Sequence, residues 1–317
     1  MKSLITITSC NRLSEVQKYI WDYLSFVNQN KDFHFVLALD GNEKNYLDFC
    51  NEFDIPLIYS EEREGVGLSK NRVLTQFPDY DYYFFIEDDI ELINPKIFIE
   101  HIHLFKKTGY HHFCNNHERS KLLIDENNLL FSKAGGAQFA FYTHQAIEKV
   151  GGFHTLFAKY KRFGHTEHTY RLFHAKLQPA PFIFSPEWRK MILVHAPVAV
   201  TQHSGLKTNE NELIEEEQAL IDNKTTHFPL STLSSFHFND KQLGYNEKVN
   251  RFLKENPQRY PLTKGKDRKN ALGEYYALLI DWKCKSFFKN FILATKSFFY
   301  SPTNNSLKHK LKTLFQS

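Results

Sequence analysis

The chain has 317 residues, 42% of them hydrophobic and 24% charged, with 40 Lys+Arg against 36 Asp+Glu and a net charge of +4. A 15% aromatic share with a mean hydropathy of -0.48 excludes a disordered chain and a polytopic membrane protein. No uncharged apolar run is long enough to span a bilayer, and the charge is too mild to make nucleic acid an expected partner.

The first ninety residues alternate strand-like and helix-like segments. Ser3 to Ser9 is a short β-branched run, and Ser14 opens a helical pattern with Gln17 placed for a capping box. Val16, Ile20, Tyr23, Leu24 and Val27 fall on one face of that helix. Phe33 to Leu39 reads as a second strand stopped by Asp40-Gly41, Tyr46, Cys50 and Phe53 mark a helix, and Ile55 to Tyr59 a third strand. Leu68 to Phe77 reads as a helix entered through a glycine turn, and Tyr82 to Ile86 as a fourth strand. Apolar strands alternating with helices imply an α/β fold, a mostly parallel sheet flanked by helices. Right-handed crossovers put the C-terminal strand ends on one edge, where ligands bind in such sheets. Beyond Gly135-Gly136 the run AQFAFYT leads to a helix through Ala146 and Val150. The stretch from about 210 to 280 is expected to be helical but weakly patterned.

MKSLITITSC lacks the long apolar core of a signal peptide. Cys10, Cys50, Cys114 and Cys284 form no CxxC pair, so reduced thiols in a cytoplasmic protein are expected.

Polar clusters recur at the ends of the predicted strands: Ser9-Cys10-Asn11-Arg12, Asp40-Gly41-Asn42 and Glu87-Asp88-Asp89. Three adjacent carboxylates repel one another unless a cation or solvent compensates. Hard oxygen donors of this kind suit Mg2+ or Mn2+. In Glu64 to Arg72 (EGVGLSKNR) glycines precede a helix, so backbone N–H groups can approach an anion with Lys70 or Arg72 adding charge. Neither GxGxxG nor a P-loop lysine closes this turn. In Gly164 to Arg171 (GHTEHTYR) a carboxylate stands between imidazoles, as a general base or as part of a metal set, with His165 and His168 able to share a helix face. His203 ends the strand-like run 198–203, the place for a late-arriving ligand. His101, His103, His111, His112 and His117 are read as ordinary surface residues.

In this order the segments resemble the family 2 glycosyltransferases, which have the Rossmann-like GT-A fold. ITSCNR is similar to that family's first strand, placing Ser9, Asn11 and Arg12 at the donor. LALDGN resembles its second strand, whose equivalent of Asp40 binds the nucleobase. Gly65 to Asn71 is similar to its Gly-x5-Asn turn, with Lys70 as the basic residue. FFIEDDIEL resembles its DxD motif, which implies Asp89 and Glu87 as metal ligands and Asp88 at the donor. Residues 138 to 172 resemble the acceptor-side segment that ends in a Gly-x-Glu-Asp box and an Arg. Thr166 stands where the family often has Glu, and Glu167 stands where it has the catalytic base. His203 is similar to a His completing the metal or diphosphate site in some members. The resemblance covers about residues 3 to 205.

It implies a metal-dependent inverting glycosyltransferase using Mn2+ or Mg2+. The donor would be a nucleotide-diphosphate sugar, UDP-linked by default, and the acceptor a hydroxyl of a glycan or glycolipid in bacterial surface polysaccharide or lipooligosaccharide synthesis. The rival readings are a sugar-nucleotide nucleotidyltransferase, whose first loop is usually Gly-rich where this one is SCNR, and a catalytically inactive sugar-binding or scaffold protein. A glycoside hydrolase would need a second carboxylate at a set separation, and none is apparent. The expected organisation is a catalytic domain over 1–210, a helical extension over 211–281 and a basic tail over 282–317. In the tail, Phe287, Phe288, Phe291, Ile292, Phe298 and Phe299 recur at helical spacings among Lys285, Lys289 and Lys296. An anionic membrane surface is therefore an expected partner, with the protein peripheral on the inner face.

Overall fold

The computed structural model describes residues 1–115, 123–124, 127–133, 135–136, 138–161, 164–195 and 210–256. The chain opens with β1 (Ser3–Ser9), α1 (Leu13–Gln29), β2 (Phe33–Leu39), α2 (Lys44–Glu52), β3 (Leu57–Ser60), α3 (Val66–Gln76) and β4 (Tyr82–Glu87). It continues through β5 (Ile90–Leu92), α4 (Lys96–Thr108), β6 (His112–Cys114), β7 (Leu123–Ile124), β8 (Leu130–Ser132), β9 (Phe139–Thr143) and α5 (His144–Val150). After these come α6 (His165–His174), β10 (Phe182–Phe184), β11 (Ile192–Val194), α7 (Glu210–Asp222), β12 (Phe236–Phe238) and α8 (Glu247–Glu255).

The described strands build a seven-stranded sheet in the order β12-β3-β2-β1-β4-β9-β6. β3, β2, β1 and β4 run parallel. Successive side chains of a strand point to opposite faces, and here both faces are apolar. Ile5, Ile7, Phe35, Leu37, Phe84 and Ile86 enter one core, while Leu4, Val36, Ala38, Tyr83 and Phe85 enter the other. That two-sided burial is why these strands read as continuous apolar runs. The α/β, mostly parallel, helix-flanked architecture expected from the sequence is the one observed.

Several local expectations need correction. Helix α1 begins at Leu13, and its N-cap Arg12 makes no side-chain capping bond, so the Ser14–Gln17 capping box does not form. The AQFAFYT run becomes β9, which is antiparallel to β4, and β6 extends the edge antiparallel to β9. Alternation of apolar residues does not encode strand direction, so the sequence pattern could not show the reversal. His101 and His112 are 2% and 0% exposed, not surface residues. Burial holds both imidazoles well below the ordinary histidine range, to about 4 and about 3, so they pack as neutral rings.

The segment after 210 returns to the body. β12 pairs antiparallel with β3, and Phe252 of α8 packs at a tilt on Trp21 of α1 with ring centroids 4.3 Å apart. Among the described residues no helix is long and apolar enough to cross a membrane. The predicted basic tail lies outside the described residues.

Candidate active site

Strand register explains why distant polar residues meet. Ser9 is opposite Leu39, and Thr8 is opposite Glu87, so Asp40 comes level with Cys10 and Asp88 with Ser9, and the three strand ends leave the sheet together. The Asp40 N–H donates to the Ser9 carbonyl at 3.0 Å. Ser9 Oγ donates to Asp88 Oδ2 at 2.5 Å and lies 2.6 Å from the Tyr46 hydroxyl. That hydroxyl accepts the Arg12 N–H at 2.9 Å. The Arg12 guanidinium meets Asp88 Oδ1 at 2.9 Å and Asp89 Oδ2 at 3.4 Å. Asn11, exposed, takes φ +52°, the left-handed turn that aims Arg12 back at the carboxylates.

One guanidinium does not balance three carboxylates. Glu87 ends β4 rather than following it, and burial, then the neighbouring Asp89, raises its pKa. Burial also pushes Asp88 up to about 7, against the pull of Arg12. Among the described residues, Asp89 Oδ1 is buried and has no hydrogen-bond partner. An uncompensated buried carboxylate oxygen among hard donors is the feature a small divalent cation satisfies, so these residues fit Mn2+ or Mg2+. A flank that the sequence reading missed is His195 after β11: its N–H donates to the Asp89 carbonyl at 3.0 Å, its Nε2 lies 2.8 Å from Glu91 Oε2, and its ring stacks on Tyr19. His203 lies outside the described residues.

Asp40 and the glycine turn form a second group. Asp40 accepts the N–H groups of Glu64 and Gly65, both at 2.8 Å, and is 3.3 Å from Arg72 Nη2. Arg72 also pairs with Glu64 at 2.8 Å and is fully buried. Gly65 has φ +93°, and a Cβ there would lie 2.6 Å from the Lys161 backbone. Gly65→Ala should therefore lower stability by more than about 1 kcal/mol, read as a lower urea midpoint; an unchanged midpoint would show that the two loops do not meet. Asn71 is a clamp: it accepts the Phe153 N–H at 2.7 Å and donates to the carbonyls of Phe153 and Ser231 at 2.9 and 2.7 Å. Lys70 Nζ sits 5.7 and 5.2 Å from the ring centroids of Phe85 and Phe153, and burial lowers its pKa to about 8 while Glu87 opposes the shift.

The third group is α6. Glu167 is 2% exposed. Its carboxylate meets Arg171 Nε at 2.6 Å and Nη2 at 2.9 Å. Arg171 in turn donates to the Val150 and Gly152 carbonyls, both at 2.6 Å. Burial raises the Glu167 pKa against the pull of Arg171. Glu217 on α7, which the sequence reading did not single out, accepts the Glu167 N–H at 3.4 Å. It is half-buried, and burial pushes its carboxyl up to about 7. Ser9, Arg12, Glu87, Asp88 and Asp89 thus make one cluster, and Asp40, Gly65 and Arg72 another beside it. Lys70 reaches toward Glu87, while Glu167 stands apart with Arg171 and Glu217. A cavity of 740 Å3 lined by Asp32, His34, Gly244 and Tyr245 opens at the opposite, N-terminal end of β2 and holds none of these residues.

No family model matches the chain, and no curated protein matches it. Among solved structures it is similar to S. aureus TarS 1-349 in complex with UDP, at 10% identity over 99% of this chain and 92% of that one, with a TM-score of 0.47. It is also similar to the mannosyltransferase PcManGT from Pyrobaculum calidifontis in complex with GDP-Man and Mn2+, at 10% identity, covering 96% and 88% of the two chains with a TM-score of 0.44. GalNAc-T7 with UDP, GalNAc and Mn2+ matches 58% of this chain and 42% of its own at 10% identity, with a TM-score of 0.43.

Proposed function

We propose that the chain transfers a sugar from a nucleotide-diphosphate sugar to a hydroxyl of a glycan or lipid-linked glycan, by a single inverting displacement. The observation that carries this reading is the buried Oδ1 of Asp89, without a partner among the described residues, within the acidic turn at the strand edge where α/β sheets bind ligands. Asp89, with Asp88 and Glu87 beside it, would hold Mn2+ or Mg2+. When bound, such an ion neutralises the charge that grows on the departing diphosphate.

The chain's own residues supply the rest. Arg12 and Ser9 hold Asp88 in place, so the acidic turn is preorganised. Lys70 remains largely protonated at neutral pH and adds fixed positive charge near the leaving group. The turn that Asp40 and Arg72 lock presents the N-terminus of α3, a natural seat for phosphate oxygens. A nucleobase N–H would add to the bonds Asp40 already accepts. Glu167 takes the acceptor's proton as its hydroxyl attacks, and no protein nucleophile is needed. A second reading of that role is favoured by Glu217: its carboxyl is half-buried, lies next to Glu167 and titrates near neutral pH, the range that suits a general base. UDP is the proposed nucleotide, and bacterial surface polysaccharide or lipooligosaccharide synthesis the proposed setting.

The test is NMR analysis of the product: a new glycosidic bond with the anomeric configuration inverted relative to the donor supports the reading, and a retained configuration contradicts it. We further place the enzyme on an anionic membrane surface through residues 282–317, each lysine near the lipid contributing about 1 kcal/mol. Deleting 282–317 should release the protein from anionic liposomes; unchanged co-sedimentation would refute the attachment.

A further inference from the structure

The second candidate centre lies at the edge strand β6 and shares no ligand with the acidic turn. On β6, His112 and Cys114 are two residues apart and therefore project from the same face of the strand. That face meets the first turn of α6 at His165. The metal-binding atoms of His112, Cys114 and His165 all lie within 4.8 Å of one another, and all three residues are buried.

Each ring nitrogen of the two imidazoles has a protein partner, but only one of these bonds is short. The one short bond joins His112 Nδ1 to the Phe141 carbonyl at 2.8 Å. This makes Nδ1 the protonated nitrogen and turns the Nε2 lone pair toward the cluster, the arrangement seen for imidazoles that bind metals. The other contacts are at the long limit of hydrogen bonding: Thr169 Oγ1 is 3.5 Å from His112 Nε2 and 3.4 Å from His165 Nε2. The Tyr142 hydroxyl is 3.4 Å from His165 Nδ1, and the Cys114 thiol reaches the Ile183 carbonyl only at 3.8 Å. Thr169 Oγ1 can donate to only one imidazole and must accept from the other, so the protein-only network hangs on these long contacts.

We propose that His112, Cys114 and His165 form a structural Zn2+ site that ties the edge strand β6 to the start of α6. Two imidazoles and a thiolate are a ligand set that selects zinc over the hard cations suited to the acidic turn. Thr169 Oγ1 or a water fills the fourth position. Binding releases the Cys114 proton to solvent, and the thiolate offsets one of the two charges of the ion. That offset is needed because the nearby Lys70 ammonium repels a cation here. The Glu167–Arg171 pair sits on the same helix, so the metal would steady α6 without entering the reaction.

The proposal is tested on the full chain by zinc analysis and X-ray absorption at the zinc edge, and by loading the chelator-treated protein with Co2+ alone. Expected are one zinc per chain with one sulfur neighbour at about 2.3 Å and nitrogen neighbours at about 2.0–2.1 Å. The cobalt form should show a thiolate charge-transfer band that Cys114→Ser abolishes and Cys10→Ser retains. Absence of a sulfur neighbour in the wild-type protein overturns the proposal even if the Cys114 variant fails to fold. So does a charge-transfer band that survives Cys114→Ser.

Discussion

Asp89→Asn is expected to lower Mn2+-dependent nucleotide release at least about 100-fold, the order for an ion supplying several kcal/mol at the transition state. Asn keeps the shape of the side chain and removes one of the charges crowded at the turn. Among the described residues Asp89 Oδ1 has no partner to lose, Oδ2 loses only a 3.4 Å contact with an Arg12 that keeps Asp88 at 2.9 Å, and the Asp89 charge is among those raising the pKa of Glu87. The folded protein should therefore melt at the wild-type temperature or above it while activity collapses. Activity falling in step with melting temperature would mean that Asp89 supports the fold and not the reaction. Rates of nucleotide release against Mn2+ concentration, alongside thermal melts, separate the two.

The second large effect concerns the base. Glu167→Gln should nearly abolish transfer, by about 10²- to 10⁴-fold, while donor binding survives. It also removes the charge facing Arg171 in a buried pair, a change that costs about 3–5 kcal/mol, so the variant should melt lower. Glu217→Gln is the informative companion because its partner among the described residues is only the Glu167 N–H at 3.4 Å. If Glu217 is the base, transfer falls by the same order with little change in melting. The wild-type rate would then also fall as pH drops through about 7, where that carboxyl takes up its proton. If Glu217→Gln retains full activity while Glu167→Gln loses it, the base is Glu167. Full activity in both variants removes this pair from the chemistry altogether.

The parallel core was legible because burial on both faces forces continuous apolar strands: SLITITS and FHFVLAL became β1 and β2 over the residues read from the sequence. What stayed hidden depends on pairing across long separations. The antiparallel course of β9 and the addition of β12 beside β3 are set by tertiary contacts that leave no periodic mark. The same holds for function. The acidic turn announces itself as three adjacent carboxylates, but the work of Tyr46, Arg72 and Glu217 lies in bonds to residues tens of positions away. Asn71 was found by its place in the turn, yet its side chain spends its bonds on Phe153 and Ser231. His112 was read as surface, although the alternation His-Phe-Cys on a strand carries a signal once its partner His165 is known.

The most direct test of glycosyl transfer at the acidic edge is nucleotide release over a panel of UDP-, GDP- and CMP-sugars, in Mn2+ and then in excess chelator, with a small set of hydroxyl acceptors. Expected is release from one nucleotide-diphosphate sugar that rises with acceptor and is lost in chelator and in Asp89→Asn. Release that persists in chelator, or no release from any donor, would contradict it.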